Sequence, residues 1–343
     1  MKAIAKTRPA PGVEIVEVPE PNVRPGHVKL RLDAASVCGT DLHIYQWDAW
    51  SASRIKPPRI IGHEFCGTIV ELGEGVTERA VGDFVSSESH IVPRTSEYLK
   101  RGLGHVAPET QILGVDVDGG FATYAVIPVD NARPTPKSVP AKIAAFQDAL
   151  GNAVHTVMAG PVEGLDILIT GMGPIGLFAV SICKALGAKR VIVTEVSSYR
   201  IALAEQVGAD VILNPKNEDV AAALSKLAPM GVDATLEMSG HPSSLQLAID
   251  HTRPGGRVSL LGVFHENQQT VDVNKAIFKG LNIQGIVGRK LWETWDQMGE
   301  LLASGKLNLD PVVTHVMPYT EFERAMELMV AGQAGKVVFT FDA

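Results

Sequence analysis

Cysteine is scarce in this sequence. Three in 343 residues give no disulfide framework, which fits a reducing compartment. None lies between Cys66 and Cys183, so no cluster of four thiolates can form in that stretch. Long apolar runs are missing too, and the N-terminus lacks a signal-peptide pattern, so a cytoplasmic location is expected. Positive charge is not in excess. The 31 Lys and Arg stand against 38 Asp and Glu, a formal charge of −7, so broad attraction to nucleic acid or an anionic membrane is not expected. There is no internal repeat, low-complexity tract or linker. The length fits two domains, each able to bury a core.

The middle of the chain carries its clearest pattern. Asp166–Thr170 is a short apolar stretch suited to a buried parallel strand. Gly171-Met-Gly173-Pro-Ile-Gly176 follows, and then Leu177–Leu186, apolar at helical spacing and closed by Gly187. A second strand, Arg190–Thr194, ends at Glu195, about 20 residues after the turn, as a dinucleotide fingerprint requires. Gly171 permits the tight turn, Gly173 admits the pyrophosphate at a helix N-terminus, and Gly176 lets helix and strand pack closely. Glu195 can accept hydrogen bonds from ribose hydroxyls and would repel a 2′-phosphate, which favours NAD. Arg200 blunts that preference, because an arginine there can face a phosphate.

The alternation continues. Strands are expected at 209–213, 232–238, 257–262 and 282–286, with helices at 197–207, 217–228 and 242–251. The fold class is α/β, a doubly wound parallel sheet. Ligands on such sheets lie beyond the carboxyl ends of the strands. Ser239-Gly240, Leu261-Gly262-Val263 and Ile286-Val287 are therefore candidate cofactor contacts.

Residues 1–150 read differently. The stretches at 13–18, 28–32, 67–72, 82–85 and 124–127 are short strands, and prolines and glycines are frequent, as in a β-rich, partly closed barrel. The tail adds a helix near 322–332 and a strand at 336–340. The expected division is residues 1–150, completed by 289–343, and a nucleotide-binding domain at 151–288. A thiolate, an imidazole and a carboxylate with one open position make a catalytic zinc site. Cys38 and His63 are the principal candidate ligands. Glu64 can ligate directly or sit beside the metal, and Asp148 is a fourth candidate. Cys66 and Cys183 read as core.

Several separated segments resemble the zinc-dependent medium-chain dehydrogenases over nearly the full length. They are Gly62-His63-Glu64, Gly82-Asp83, the glycine turn, Cys38–Tyr45 with Trp47-Asp48, Leu150–Thr156, Gly288–Trp295, and Lys306–Pro311 with Thr314-His315. The most specific of them resemble the branch of that family that acts on L-threonine. The resemblance implies a GroES-like first domain and a Rossmann second domain. It implies zinc on Cys38, His63 and Glu64, with Asp148 as proton relay or alternate ligand. It also implies active-site roles for Thr40 and His43, NAD contacts at Ile175, Glu195 and Arg200, and a homo-oligomer, tetramer favoured over dimer.

The expected reaction is oxidation of a substrate hydroxyl by NAD, its proton leaving through Thr40 and His43. The residues leave the roles of Arg289, Asp48 and Glu64 toward the substrate's charged groups open. They also leave open a polyol or 2,3-butanediol substrate, and a non-catalytic nucleotide-binding protein. Cys38, His63 and Glu195 argue against a zinc-free NADPH-dependent quinone reductase. Family members usually carry a second zinc on four closely spaced cysteines. Here those positions hold Pro93, Ser96, Leu99 and Ala107, so one catalytic ion per subunit is expected. Packing of Leu99, Leu103 and Val106 is the expected substitute for the missing metal.

Overall fold

The computed structural model describes residues 1–341. It consists of two compact units. One is Met1–Ala149 together with the chain from Val313 onward, and the other is Leu150–Val312. The expected boundary at 288 is therefore corrected: residues 289–312 belong to the second unit. Their side chains explain why. Helix Glu293–Ala303 buries Trp295, Met298 and Leu301. The Asn308 backbone amide donates to Ser181 Oγ at 2.7 Å, and its side-chain amide donates to the Gln206 carbonyl at 2.8 Å.

The second unit holds a six-stranded parallel sheet. Its spatial order is Val211–Leu213, Arg190–Thr194, Asp166–Thr170, Val232–Glu237, Thr252–Leu260, Asn282–Gly285. The central strands bury Ile167, Leu168, Ile169 and Val191, Ile192, Val193 completely, as strands covered on both faces must. Strand order reverses between Asp166–Thr170 and Val232–Glu237, and such a switch point opens a ligand crevice at the carboxyl ends. The fifth strand starts at Thr252, earlier than the sequence pattern places it. Pro254-Gly255-Gly256 lies inside it, and its register against Val232–Glu237 shifts there. Proline and glycine within a strand commonly mark such an irregularity.

The first unit is β-rich. Its largest sheet runs Ala132–Pro134, Phe84–Ser87, Glu64–Leu72, His27–Ser36, Lys336–Thr340, Val313–Pro318, with Tyr124–Pro128 also paired to His27–Ser36. A smaller sheet joins Lys2–Lys6 to Glu14–Glu17 and Arg59–Ile60. Phe121 and Phe339 meet edge to face in the core, ring centroids 5.3 Å apart.

One register positions the candidate site. Ser36, at the end of its strand, pairs with Glu64 on one side and Val338 on the other. Directly paired residues share a sheet face, and so do residues two apart along a strand. Ser36, Glu64 and Lys336 therefore project to the same side. No helix among the described residues is long and apolar enough to cross a membrane.

Candidate active site

The chain changes from strand to helix at Cys38. Helix Gly39–Gln46 starts immediately after it, and the Cys38 amide donates to Asp41 Oδ2 at 2.9 Å. This is the carboxylate half of a capping box, and it fixes the loop that presents the thiol. Gly62, at φ +89°, turns the chain into His63, and Glu64 opens the next strand. The result is a cluster of Cys38, His63 and Glu64 whose candidate ligand atoms all lie within 4.8 Å of one another.

His63 and Glu64 are buried, Cys38 is half-buried, and the cluster is densely charged. Lys336 Nζ and Ser36 Oγ both donate to Glu64 Oε2, and Lys336 also reaches the Val37 carbonyl at 3.3 Å. Burial alone would raise the Glu64 carboxyl, but Lys336 and His63 outweigh it and hold Glu64 below its ordinary value. Burial would lower the Lys336 ammonium, but Glu64 and Cys38 hold it above its ordinary value. Burial likewise opposes the charged His63 imidazole, yet Cys38, Asp41 and Glu64 raise it to about 10. Burial dominates at Asp41 and pushes that carboxyl up.

His63 Nδ1 and Asp41 Oδ1 are both buried, make no hydrogen bond, and lie 3.9 Å apart. Such a pair suits a metal-bound imidazole steadied by a carboxylate from behind. The donor set of one thiol, one imidazole and one carboxylate likewise fits catalytic zinc.

Asp148 lies outside this cluster, its Oδ1 accepting the Ser89 amide at 2.9 Å. Thr40 and His43 are one turn apart on helix Gly39–Gln46, so they face the same way. Thr40 Oγ1 is 3.8 Å from Cys38 Sγ, and His43 Nδ1 is 2.7 Å from Asp48 Oδ2. Both Asp48 oxygens are engaged, since Oδ1 accepts from Ser51. Arg289 is buried in the second unit, donating to Asn152 Oδ1 at 3.0 Å. Cys66 and Cys183 are buried, and burial pushes both thiols up, Cys183 to about 12.

Asp41, Ser36 and Lys336 escape the sequence reading. Asp41 stands in the Cys38 segment at the third position of the helix, which is a legible capping signal. Lys336 lies 272 residues from Glu64 and carries no local signal at all.

In the second unit, Gly171 adopts φ +85°, and Gly173 caps helix Pro174–Ala185. A Cβ on Gly176 would lie 2.0 Å from the Gly171 carbonyl oxygen, so the helix can meet the turn only at a glycine. A Cβ on Gly173 would meet nothing within 4 Å, which leaves the approach to the helix N-terminus open. Glu195 is tied into this turn. Its Oε2 accepts the Met172 amide at 2.8 Å, and its Oε1 accepts the Val196 and Ser197 amides. Ile175 and Arg200 lie on the two adjoining helices, both half-buried.

Leu261, Gly262 and Val263 follow the fifth strand, and Ile286 and Val287 the sixth, so all five stand at carboxyl ends. Val263 is 92% exposed. The sequence reading also missed Glu237, whose Oε1 accepts from Thr170, Ser239 and Gly240 and holds the neighbouring turn.

The lobe at residues 90–113 requires a correction. Leu103 and Val106 are 43% and 42% exposed, so they do not pack in place of a metal. Polar contacts help to hold the segment, and Ile91, Ile112 and Leu113 pack with the core at its two ends. Buried Ser96, at a position where the family has cysteine, receives the Leu99 amide. Arg94 grips Asp130 with two hydrogen bonds, Arg54 grips Asp116 in the same way, and Asp116 also accepts the Ile112 amide. Among the described residues, no metal-capable group includes His90 or His105.

Two family models match this chain: an alcohol dehydrogenase GroES-like domain over residues 24–137 and a zinc-binding dehydrogenase domain over 174–304. An L-threonine 3-dehydrogenase of Pyrococcus horikoshii is 51% identical over 342 residues, covering 99% of this chain and 98% of that protein. Among solved structures, the alcohol dehydrogenase rspB from E. coli CFT073, complexed with cofactor NADH, is similar with a TM-score of 0.91 and 28% identity, covering 99% of each chain. The 2R,3R-butanediol dehydrogenase of Bacillus subtilis is similar with a TM-score of 0.90 and 25% identity, again covering 99% of each.

Two outcomes are expected. Zinc must displace the proton that His63 holds up to about 10, so affinity should fall as pH falls. From pH 8 to pH 6 the loss is about tenfold per unit for each proton displaced. Competition against a chromophoric chelator measures it, and a pH-independent affinity contradicts the reading. Second, Gly176→Ala should weaken NAD binding at least about tenfold by fluorescence titration while zinc content stays at the parent level, because the crowded turn and the ligand cluster belong to different units. Unchanged NAD affinity would count against this turn as the cofactor site.

Proposed function

This chain belongs to the zinc-dependent medium-chain dehydrogenases, and from that premise we propose that it oxidises the 3-hydroxyl of L-threonine with NAD, giving L-2-amino-3-oxobutanoate and NADH. One observation carries the reaction class: a half-buried thiol beside a buried imidazole and carboxylate in one unit, and a glycine turn closed by an acidic residue in the other. Full-length likeness to the Pyrococcus horikoshii L-threonine 3-dehydrogenase supports the substrate.

When bound, zinc supplies Lewis acidity at the substrate hydroxyl, and NAD supplies the hydride acceptor. Cys38, His63 and Glu64 would hold the metal. Asp41 would steady His63 through Nδ1. Thr40 would take the hydroxyl proton and pass it to His43. With His43 Nδ1 donating to Asp48, Nε2 is the atom left to accept. His43 is exposed, so the proton can pass from it to water.

Gly171, Gly173, Ile175 and Gly176 would cradle the dinucleotide phosphates. Glu195 would face the adenosine ribose, where its charge disfavours a 2′-phosphate. Leu261, Gly262, Val263, Ile286 and Val287 would line the rest of the cofactor site, and Arg200 its adenosine end. Asp148 remains a proposed relay or alternate ligand.

The same reading gives one zinc per subunit, since Pro93, Ser96, Leu99 and Ala107 offer no sulfur. It also gives a homo-oligomer, a tetramer before a dimer. Two separate apolar surfaces support this. Val273, Ile277 and Phe278 are exposed in the second unit, and Tyr98, Leu103 and Val106 on the lobe of the first. A dihedral tetramer would need two distinct contacts of this kind. The three free thiols fit the cytoplasm proposed for the chain.

Turnover with NAD should be fastest on L-threonine in a panel with sorbitol, 2,3-butanediol and ethanol, and slower with NADP in place of NAD. Preference for sorbitol or butanediol would overturn the substrate, and preference for NADP would overturn the role of Glu195. Elemental analysis of desalted protein should give about one zinc per chain. A reproducible ratio near two would return His90 and His105 to consideration as ligands.

A further inference from the structure

We propose that Lys336 is a positioning residue that sets how strongly Glu64 binds the catalytic metal. This inference rests on the zinc reading above. Three observations carry it. Lys336 is buried, though lysine is among the residues least often buried without a partner. Its ammonium bonds Glu64 and the Val37 carbonyl, which immediately precedes Cys38. Finally, Lys336 and Ser36 converge on one oxygen of Glu64, Oε2. A carboxylate with one oxygen tied in this way can reach a metal only through the other.

The consequence follows from charge. A fixed ammonium and a divalent cation compete for the same carboxylate. While Lys336 holds Oε2, Glu64 is a one-oxygen ligand with part of its charge already answered. Such a ligand yields its place more readily to a substrate hydroxyl. Without the ammonium, Glu64 in the metal-loaded protein carries its whole charge toward the ion and has both oxygens to offer. The positive charge that opposed the metal has also gone. Zinc should then bind more tightly, and the position needed by substrate should be harder to open.

The test uses the full-length protein, stripped of metal and reloaded with zinc or cobalt(II) at one fixed pH. Lys336→Met should bind zinc at least about tenfold tighter by chelator competition. Its cobalt form should show a weaker visible band, as a second carboxylate oxygen moves the ion away from tetrahedral geometry. The kcat for L-threonine should fall. Lys336→Arg keeps the charge and should restore the parent affinity and spectrum. Lys336→Gln keeps a hydrogen-bond donor without the charge. It should follow Lys336→Met, and it carries the test if the methionine variant does not fold.

Zinc affinity in Lys336→Met or Lys336→Gln equal to or weaker than the parent's overturns the proposal, as does an unchanged cobalt spectrum. Cys38→Ser separates this from failure of the zinc reading. If the parent and Cys38→Ser bind zinc equally poorly, the metal site itself is wrong and the role of Lys336 falls with it.

Discussion

The pairing of Ser36 with Glu64 on one side and Val338 on the other is the constraint on which the site depends. Three segments from opposite ends of the first unit reach the active cluster through that register. Strand His27–Ser36 delivers Cys38 just past its end, strand Glu64–Leu72 begins on a candidate ligand, and Lys336–Thr340 begins on the lysine that holds it. A one-residue slip in any of the three would turn its side chains to the opposite face. The register is protected by core on the same strands. Leu30, Phe65, Val337 and Phe339 are all buried in one cluster.

Buried charges such as those of Asp41, His63, Glu64 and Lys336 cost stability unless they answer one another. Glu64 is met by Lys336 and Ser36, and the Cys38 amide is met by Asp41. The groups left unanswered, His63 Nδ1 and Asp41 Oδ1, are the ones a metal-bound imidazole would bring into use. The pattern therefore has a chemical direction. Its hydrogen bonds converge on Oε2 of the carboxylate and are missing at Nδ1 of the imidazole, where arrival of a divalent ion would bring Asp41 into use.

The second unit solves a different problem, the approach of an anion to backbone. Its glycines leave room at the helix N-terminus, and buried carboxylates hold the surrounding turns from beneath. Glu195 ties the glycine turn to the start of helix Ser198–Val207, and Glu237 ties Ser239-Gly240 to Thr170. Glu195 thus has a structural duty beside the cofactor preference assigned to it, so replacing it would loosen the turn as well as alter the charge. The lobe shows a comparable substitution. Where related chains use four sulfurs, this one uses a serine cap and two arginine–aspartate forks, leaving Leu103 and Val106 at the surface.

Much of this was legible in one dimension because its causes are local. Apolar runs between helical patterns dictated the parallel sheet, since parallel strands need crossovers and two covered faces. The glycine turn, Glu195 and the carboxyl-end loops follow from that sheet. Cys38, His63 and Glu64 were identifiable because their segments carry recognisable neighbours. The missing cysteines of the lobe were equally plain, but Leu103 and Val106 take no part in the packing offered in their place, because their exposure depends on what surrounds them. Tertiary structure alone decided the rest: the assignment of 289–312 to the second unit, the engagement of Asp48 and Arg289 with protein partners, and the meeting of Lys336 with Glu64. A sequence records which residues can carry charge. Which charges meet is fixed by strand register between segments 272 residues apart, and no local pattern encodes that distance.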